Sequence, residues 1–556
     1  MKKSNQKQVA VEVVVDPQRE QQRWYIALAA VVLGVVLIYL LRMDRVVGLY
    51  GDDAWYVLLA KALATGQGYT LTNSPSAQIM PLYPPGFPFL LSLLWRVSGA
   101  FPQNVWLLKS LSVVAMFAVG LVVYWHFHRD RELTRWQALA LATVTASSPA
   151  FVFLATSTVM SECVFTLVQL LVIVVIERCV AFGKDEARQA RAWQWALLGG
   201  ALAAFAFLIR SAALGLVVAV VWYLFRQRLR KELLVYSLGV AVLAAPWMIY
   251  SRMHAPTAEQ QAEQNSYIVQ NYAQSFWQRK ASYSTEGTIT ISELPGRVWD
   301  STYHLLEYDF GALILYPMYR AIEPSEGRLR YPWHDWSSLL LSALIIIGFI
   351  SVMRKRATLA EWAILFSLGI IVLWPFRPFR FVLPLLPWVI FYLLHGMQVV
   401  AGWAKRNAKQ PTLGLTYATG ILGFLMVVHC WSNGAYIANL RGWMGERPRW
   451  VQMFDDNERL VQWMGQNLSV DAVSASQNPA LIHLYTGQKS VGSTEPARNW
   501  ERWKQLQVRY YALTHYLPLG EPPVTEKRFK ELYRTPNTNL RVLDLGEISS
   551  RPAWSE

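Results

Sequence analysis

Polar and charged positions leave uninterrupted apolar runs of about 20 residues along most of this chain, the length that crosses a hydrocarbon core. Such runs lie at 24–42, 104–126, 136–153, 158–178, 193–209, 211–226, 232–250, 336–353, 359–375, 380–402 and 412–431. They predict a polytopic α-helical membrane protein with about eleven transmembrane helices. Between them, 43–103 and 251–335 are long loops of mixed character. After 431 the pattern turns polar: an amphipathic stretch, Asp455–Leu468, is followed by strand-like runs at Asp471–Ala475, Arg509–Thr514 and Leu540–Leu545. That alternation predicts a small α/β domain over 432–556. It has no Gly-rich phosphate loop, and the chain shows no internal repeat and no low-complexity segment.

Charge gives the runs a direction. Lys and Arg gather in 127–135, 179–192, 227–231, 354–358 and 403–411, as in Arg226, Arg228, Arg230 and Lys231, in Arg354, Lys355 and Arg356, and in Lys405, Arg406 and Lys409. The positive-inside rule places these loops in the cytoplasm. An odd number of spans then leaves segment 1–23 cytoplasmic and 43–103, 251–335 and 432–556 extracytoplasmic, as expected of a multi-pass protein of a bacterial inner membrane. The chain has 556 residues, 54% hydrophobic and 16% charged, with a formal net charge of +15. Because the basic residues flank the spans, that charge reads as topology and implies no nucleic-acid partner. Lys2, Lys3, Lys7, Arg19 and Arg23 precede the first run, which continues into Leu41-Arg42-Met43-Asp44 without a small-residue cleavage site. The first span is therefore expected to be retained. Cys163, Cys179 and Cys430 lie in or at the ends of apolar runs and imply no disulfide framework.

The first outer loop carries the densest chemistry. Gly51-Asp52-Asp53-Ala54-Trp55-Tyr56 opens it, and Trp55, Leu58, Leu59, Ala62 and Leu63 repeat at helical spacing. That stripe predicts a helix of about three turns, too short to span and expected to lie flat at the interface, half in lipid. Asp52 and Asp53 fall at its start, where free N–H groups and the helix dipole favour carboxylates. Helix capping would account for an acid pair by itself. Here the pair sits at a membrane surface and is followed by the Gln67-Gly68-Tyr69 turn. After it come the rigid turn Tyr83-Pro84-Pro85-Gly86-Phe87-Pro88 and a second short apolar segment, Phe89–Trp95.

This arrangement resembles the GT-C superfamily: protein O-mannosyltransferases, the lipid A aminoarabinose transferase and related bacterial enzymes that use polyprenyl-phosphate sugars. The resemblance runs from residue 45 to 400 and extends to the α/β tail. In that group an Asp-Glu pair opens the first outer loop and its first acid is the catalytic base. The resemblance implies a GT-C type fold, assigns the base to Asp52 and places Asp53 beside it, although Asp53 stands where Glu is usual. Tyr56 matches a tyrosine common shortly after the pair, and Tyr83 of the proline turn joins the site candidates.

Binding a lipid-carried phosphate needs fixed positive charge, for which the planar fork of arginine is suited. Arg210 lies at an outer span junction, and Arg377 and Arg380 lie in Trp374-Pro375-Phe376-Arg377-Pro378-Phe379-Arg380-Phe381, before Leu383-Pro384-Leu385-Leu386-Pro387. Snorkelling accounts for most arginines at span ends. These three, however, sit on the side where topology disfavours cations, and the stretch resembles a late Arg-Tyr-Leu-Leu-Pro type motif with Phe381 in place of Tyr. Glu162, after Ser161, opens the fourth span; a carboxylate at membrane depth costs roughly 2.5–3.5 kcal/mol and calls for a partner or a role. Loop 251–335 holds His254, His304, His334, Glu259, Glu263, Glu286, Glu293 and Asp309 without ligand spacing, so no metal site is read there. No cofactor is required, although a divalent metal is compatible with the resemblance.

The expected function is an inverting glycosyltransferase that moves a sugar from a polyprenyl-phosphate carrier to a lipid, glycan or protein acceptor on the outer face of the bilayer. Three alternatives stay open: a transporter of lipid-linked sugars, an O-antigen ligase or polymerase, and a non-catalytic envelope scaffold. A transporter predicts polar residues at mid-span, whereas the charges here crowd the outer ends.

Overall fold

A computed structural model describes residues 17–76, 79, 82–257, 260, 271–280, 283–316, 332–377, 379–404, 413–492, 496–514 and 529–546. Residues 1–16, the cluster Lys405, Arg406 and Lys409, and Glu259 and Glu263 lie outside the described residues. In chain order the first elements are α1 (Pro17–Arg42), α2 (Asp52–Ala64), α3 (Gly86–Val97), α4 (Val105–Arg129) and α5 (Arg135–Ala146). They are followed by α6 (Pro149–Thr156), α7 (Glu162–Gly183), α8 (Ala192–Ile209), α9 (Leu214–Arg226) and α10 (Arg230–Met253). Helices Pro332–Arg356, Leu359–Leu373, Leu386–Ala404 and Leu413–Arg441 complete the bundle. Among the described residues eight helices are long and apolar enough to cross a membrane, and α5 and α6, bent by 48° at a short break, pass the same test as a pair. The bend falls at Pro149, which cannot donate to the helical ladder. The two remaining expected spans coincide with the shorter apolar helices Ser211–Arg226 and Leu359–Leu373. The protein is a multi-pass helical membrane protein, and each expected span overlaps one helix or, at 136–153, the bent pair α5 and α6.

Polar ties fix both ends of the bundle. At one end Lys109 of α4, fully buried, donates to the Asp44 carboxylate at 2.7 Å, to Asp44 O at 3.0 Å and to Thr156 O at 2.9 Å. It thereby joins the end of α1 to α4 and α6. At the other end Arg131 meets Glu361 at 3.2 Å and Glu177 at 3.4 Å, donates to Thr358, and stacks over Trp388. Each cation satisfies carboxylates or carbonyls that would be costly to bury alone.

The short helix α2 departs from expectation. It does not lie half in lipid: Asp53, Ala54, Trp55, Tyr56, Val57, Leu58, Leu59, Ala60 and Ala62 are all buried. The reason is in its composition. Ala54, Val57 and Ala60, off the counted stripe, are apolar too, and a helix apolar all round belongs inside. The surface role falls to α3, which buries Phe87, Leu91 and Trp95 while Phe89, Leu93 and Val97 stay exposed.

Loop 251–335 carries a hairpin of β1 (Gln278–Lys280) and β2 (Tyr283–Thr288). The C-terminal domain is α/β as expected. Its sheet comprises β3 (Val473–Ser476), β4 (Ser490–Gly492), β5 (Val508–Leu513), β6 (Lys530–Arg534) and β7 (Arg541–Asp544) in the order β4-β3-β5-β7-β6. The β4-β3-β5 part is parallel and the β5-β7-β6 part antiparallel. Helix Arg449–Asn467 covers it, and the domain docks on the first loop. Asn73 exchanges backbone and side-chain bonds with Ser490 at 2.8 and 2.9 Å, and Lys489 donates to Thr72 O at 2.7 Å.

Asp456 secures this domain. Its buried carboxylate accepts from Asn537 N and Nδ2 at 3.1 Å each, from Thr538 N at 2.7 Å and from Thr538 Oγ1 at 2.8 Å. Burial alone would raise its pKa, but the bonds from Thr538 and Asn537 outweigh it and hold the carboxyl below its ordinary value of 3.8. A lowered folded value means stability that is complete near neutrality and is lost as acid protonates the group below about pH 4. Asp456→Ala is expected to cost about 2–3 kcal/mol. Thermal unfolding of the full chain at pH 7 checks it, and the difference from wild type should shrink as the pH falls below 4.

Candidate active site at the junction of the first loop and the spans

Asp52 is the first residue of α2. Gly51 before it adopts φ 75°, a left-handed conformation open to glycine, so the helix starts abruptly and the Asp52 side chain leaves its end free. Two groups take the carboxylate. Tyr83 donates its hydroxyl to Oδ1, and Arg380 Nη1 donates to Oδ2 at 2.9 Å. Tyr83 reaches it because the proline turn is pressed against the end of α8. A Cβ on Gly86 would stand 2.7 Å from Leu208 O, so only glycine permits the approach. The Tyr83 ring stacks on Tyr56 at 4.9 Å, and Tyr69 and Tyr272 hydroxyls hold the backbone beneath it by donating to Tyr83 O at 2.6 Å and Leu82 O at 2.8 Å. Tyr272 brings loop 251–335 against the site.

Arg380 is the hub. Its Nε and Nη2 donate to Glu162 Oε1 at 2.9 and 2.7 Å while Nη1 holds Asp52, so one guanidinium bridges two acids 110 positions apart in the chain (162 − 52). Arg210 Nη1 lies 2.9 Å from the same Glu162 oxygen and donates to Ser161 Oγ at 3.1 Å, and Tyr56 OH sits 3.3 Å from Ser161 Oγ. Glu162 is fully buried, whereas the Arg380 side chain is 40% and that of Asp52 21% exposed. Two carboxylates and two guanidiniums thus form a balanced cluster whose reachable edge is Asp52 and Arg380. Glu162 is the inner anchor that holds both arginines in place.

The structure therefore brings together Asp52, Tyr56, Tyr83, Glu162, Arg210 and Arg380. It does not bring in two others. Asp53 is fully buried and turns back on its own loop, accepting from Gly48 N at 2.7 Å and from Tyr50 N and Ala54 N at 3.1 Å each. Burial pushes its carboxyl up to about 6 against the pull of those amides, with Asp52 adding to the rise and Lys109 opposing it. Asp53 shapes the turn that presents Asp52. Asp53→Ala would strand the buried amides of Gly48 and Ala54 and the half-buried one of Tyr50, and is expected to cost about 1–3 kcal/mol for each buried amide left unpaired. Thermal unfolding beside Asp52→Asn checks this: the Asp53 variant should melt well below the Asp52 variant.

Arg377, three residues before Arg380, is exposed and faces Asp309 instead of the cluster. Asp309 is buried with neither oxygen hydrogen-bonded among the described residues, and burial pushes its carboxyl up to about 8, Arg377 opposing and Glu307 reinforcing the rise. Sequence reasoning passed over Ser161, Tyr272 and the Asp44–Lys109 tie. The Ser161 hydroxyl next to Glu162 was the one signal available.

Among the described residues, one trio has ligand atoms close enough for a metal: His126, Asp130 and Glu177. Glu177 is 15 residues along α7 from Glu162, about 22 Å at helical rise, at the far end of the bundle. Arg131 already meets His126 Nε2 at 3.5 Å and Glu177 at 3.4 Å, so guanidinium fills the place of an ion there.

No family model and no curated protein sequence matches the chain. Solved structures match its fold. ArnT from Cupriavidus metallidurans in the apo state superposes with a TM-score of 0.55 at 14% identity, covering 96% of this chain and 99% of that one. The same protein bound to undecaprenyl phosphate gives a TM-score of 0.54 at 14% identity, covering 94% and 99%. The Archaeoglobus fulgidus oligosaccharyltransferase in the apo form gives 0.49 at 13% identity, covering 88% and 69%. The chain thus has the GT-C type membrane fold that its first loop suggested. Over nearly the whole of both chains, that fold is the one adopted by ArnT from Cupriavidus metallidurans.

Proposed function

We propose that the protein is a glycosyltransferase that moves a sugar from a polyprenyl monophosphate to an acceptor hydroxyl or amine, with its site on the extracytoplasmic face of the inner membrane and its N-terminus inside. One observation carries this reading: in a fold shared with a protein seen bound to undecaprenyl phosphate, a partly exposed acid lies in direct contact with a partly exposed arginine. The acid suits proton abstraction and the arginine suits phosphate.

In the resting cluster Arg380 is divided between Asp52 and Glu162. An arriving phosphate competes for the exposed Nη1 edge, which frees Asp52 Oδ2 while Glu162 and Arg210 keep the guanidinium in position. The acceptor oxygen or nitrogen then attacks the anomeric carbon, and Asp52 takes its proton. The bond from that carbon to phosphate oxygen breaks, the electron pair leaves on phosphate, and Arg380 offsets the charge that develops. Arginines supply the positive charge, so transfer is expected to survive chelation of divalent metal. Attack opposite the phosphate inverts the sugar. Proton NMR of the product from a donor of defined anomeric configuration tests this: the opposite anomer is expected, and retention would overturn the single displacement at Asp52.

A further inference from the structure

A cavity of about 640 Å³ lies between the first loop, the start of α4 and the C-terminal domain. Its volume falls in the roughly 300–1,000 Å³ range of small-molecule sites. No group of the transfer cluster lines it. Its floor includes Leu49, Phe454, Asn457 and Tyr485, and its rim includes Arg45, Gln103, Trp106, Glu458 and Gln462. Asn457 is 2% exposed; its Nδ2 donates to Met453 O at 2.9 Å, and its Oδ1 has no hydrogen-bond partner among the described residues.

The rest of the wall narrows the ligand class. Arg45 and Glu458 cancel in charge, in contrast with the arginine-rich transfer cluster, so the cavity disfavours a polyanion. Gln103 and Gln462 each offer a donor and an acceptor, as polyhydroxyl groups require. Trp106, 46% exposed at the rim, and Phe454 and Tyr485 below it offer flat apolar surface to the C–H face of a ring. The cavity adjoins the transfer site through one short segment. Val47 and Leu49 line it, while the amides of Gly48 and Tyr50 between and beside them are held by Asp53, next to Asp52. Leu49 is three residues from Asp52, at most about 11 Å of chain.

We propose that this cavity is a saccharide subsite that holds a neutral or zwitterionic sugar unit of the glycan the protein works on. Its purpose rests on the glycosyl-transfer reading, but its binding can be measured without any turnover. The test is ligand-observed saturation-transfer NMR on the full chain in phosphatidylethanolamine and phosphatidylglycerol nanodiscs, with maltotriose, cellotriose and chitotriose as probes and octanol as an apolar competitor. Wild type is expected to bind at least one trisaccharide, Asp52→Asn to bind it equally well, and Trp106→Ala and Gln462→Ala to bind it at least fivefold more weakly. Both of these side chains are exposed, so their loss is expected to spare folding, which thermal unfolding of each variant checks. No signal from any of the three sugars overturns the subsite. So does a signal lost in Asp52→Asn and kept in the rim variants, which would place the sugar at the transfer centre. Equal displacement by octanol would make the cavity a lipid site and overturn it too. Failure of transfer with retained sugar binding would instead count against the enzyme reading and leave the subsite standing.

Discussion

Asp52→Asn is expected to lower sugar transfer by at least about a hundredfold, the lower end of what a positioned general base contributes. The substitution keeps the shape and leaves an oxygen for Tyr83 or Arg380, but it removes the group that can take a proton. Because the side chain is 21% exposed and starts a helix packed by other residues, folding should be unaffected. The measurement is initial rate beside melting temperature: a loss of rate at unchanged Tm is the expected pair. A transporter or a scaffold with this fold would show no such rate to lose.

Arg380→Lys is the second large effect, expected at about 10²–10³ in kcat, the scale for losing a donor aimed at developing charge. The charge is conserved, so the loss measures geometry. A guanidinium donates along Nε and Nη2 to Glu162 and along Nη1 to Asp52 at once, whereas an ammonium cannot span both with the same directions. Glu162, fully buried, would retain Arg210 but lose two of its charge-assisted bonds. Steady-state kinetics on the two variants checks this: Arg380→Lys should also raise the KM for the lipid-phosphate donor, while Asp52→Asn should leave it near wild type.

Much of the architecture could be read along the chain because membrane insertion imposes a length and a charge rule on each span independently. Even two apolar helices too short for the usual span length, α9 and Leu359–Leu373, were marked by their apolar runs. The C-terminal strands with strong β patterns, β3, β5 and β7, were visible; the three-residue β4 and the half-exposed β6 were not, since neither alternates cleanly. The site divides in the same way. The cost of a carboxylate at membrane depth marked Glu162 as needing a partner, but a pairing with Arg380 across 218 positions has no local signature. Adjacent residues also diverged. Asp52 and Asp53 share a helix start, yet the left-handed Gly51 sends one outward and folds the amides of Gly48 and Tyr50 over the other. Arg380 stands on the helix that begins at Phe379, while Arg377 precedes it and faces Asp309 instead.

The most direct test of the central claim is release of polyprenyl phosphate from a panel of synthetic polyprenyl-phosphate sugars by the purified protein in nanodiscs, wild type beside Asp52→Asn, each with and without chelator. At least one donor should be cleaved by wild type, with or without chelator, and spared by the variant. Equal cleavage by both proteins, or no cleavage of any donor by a wild type of unchanged Tm, would contradict the assignment of sugar transfer to Asp52.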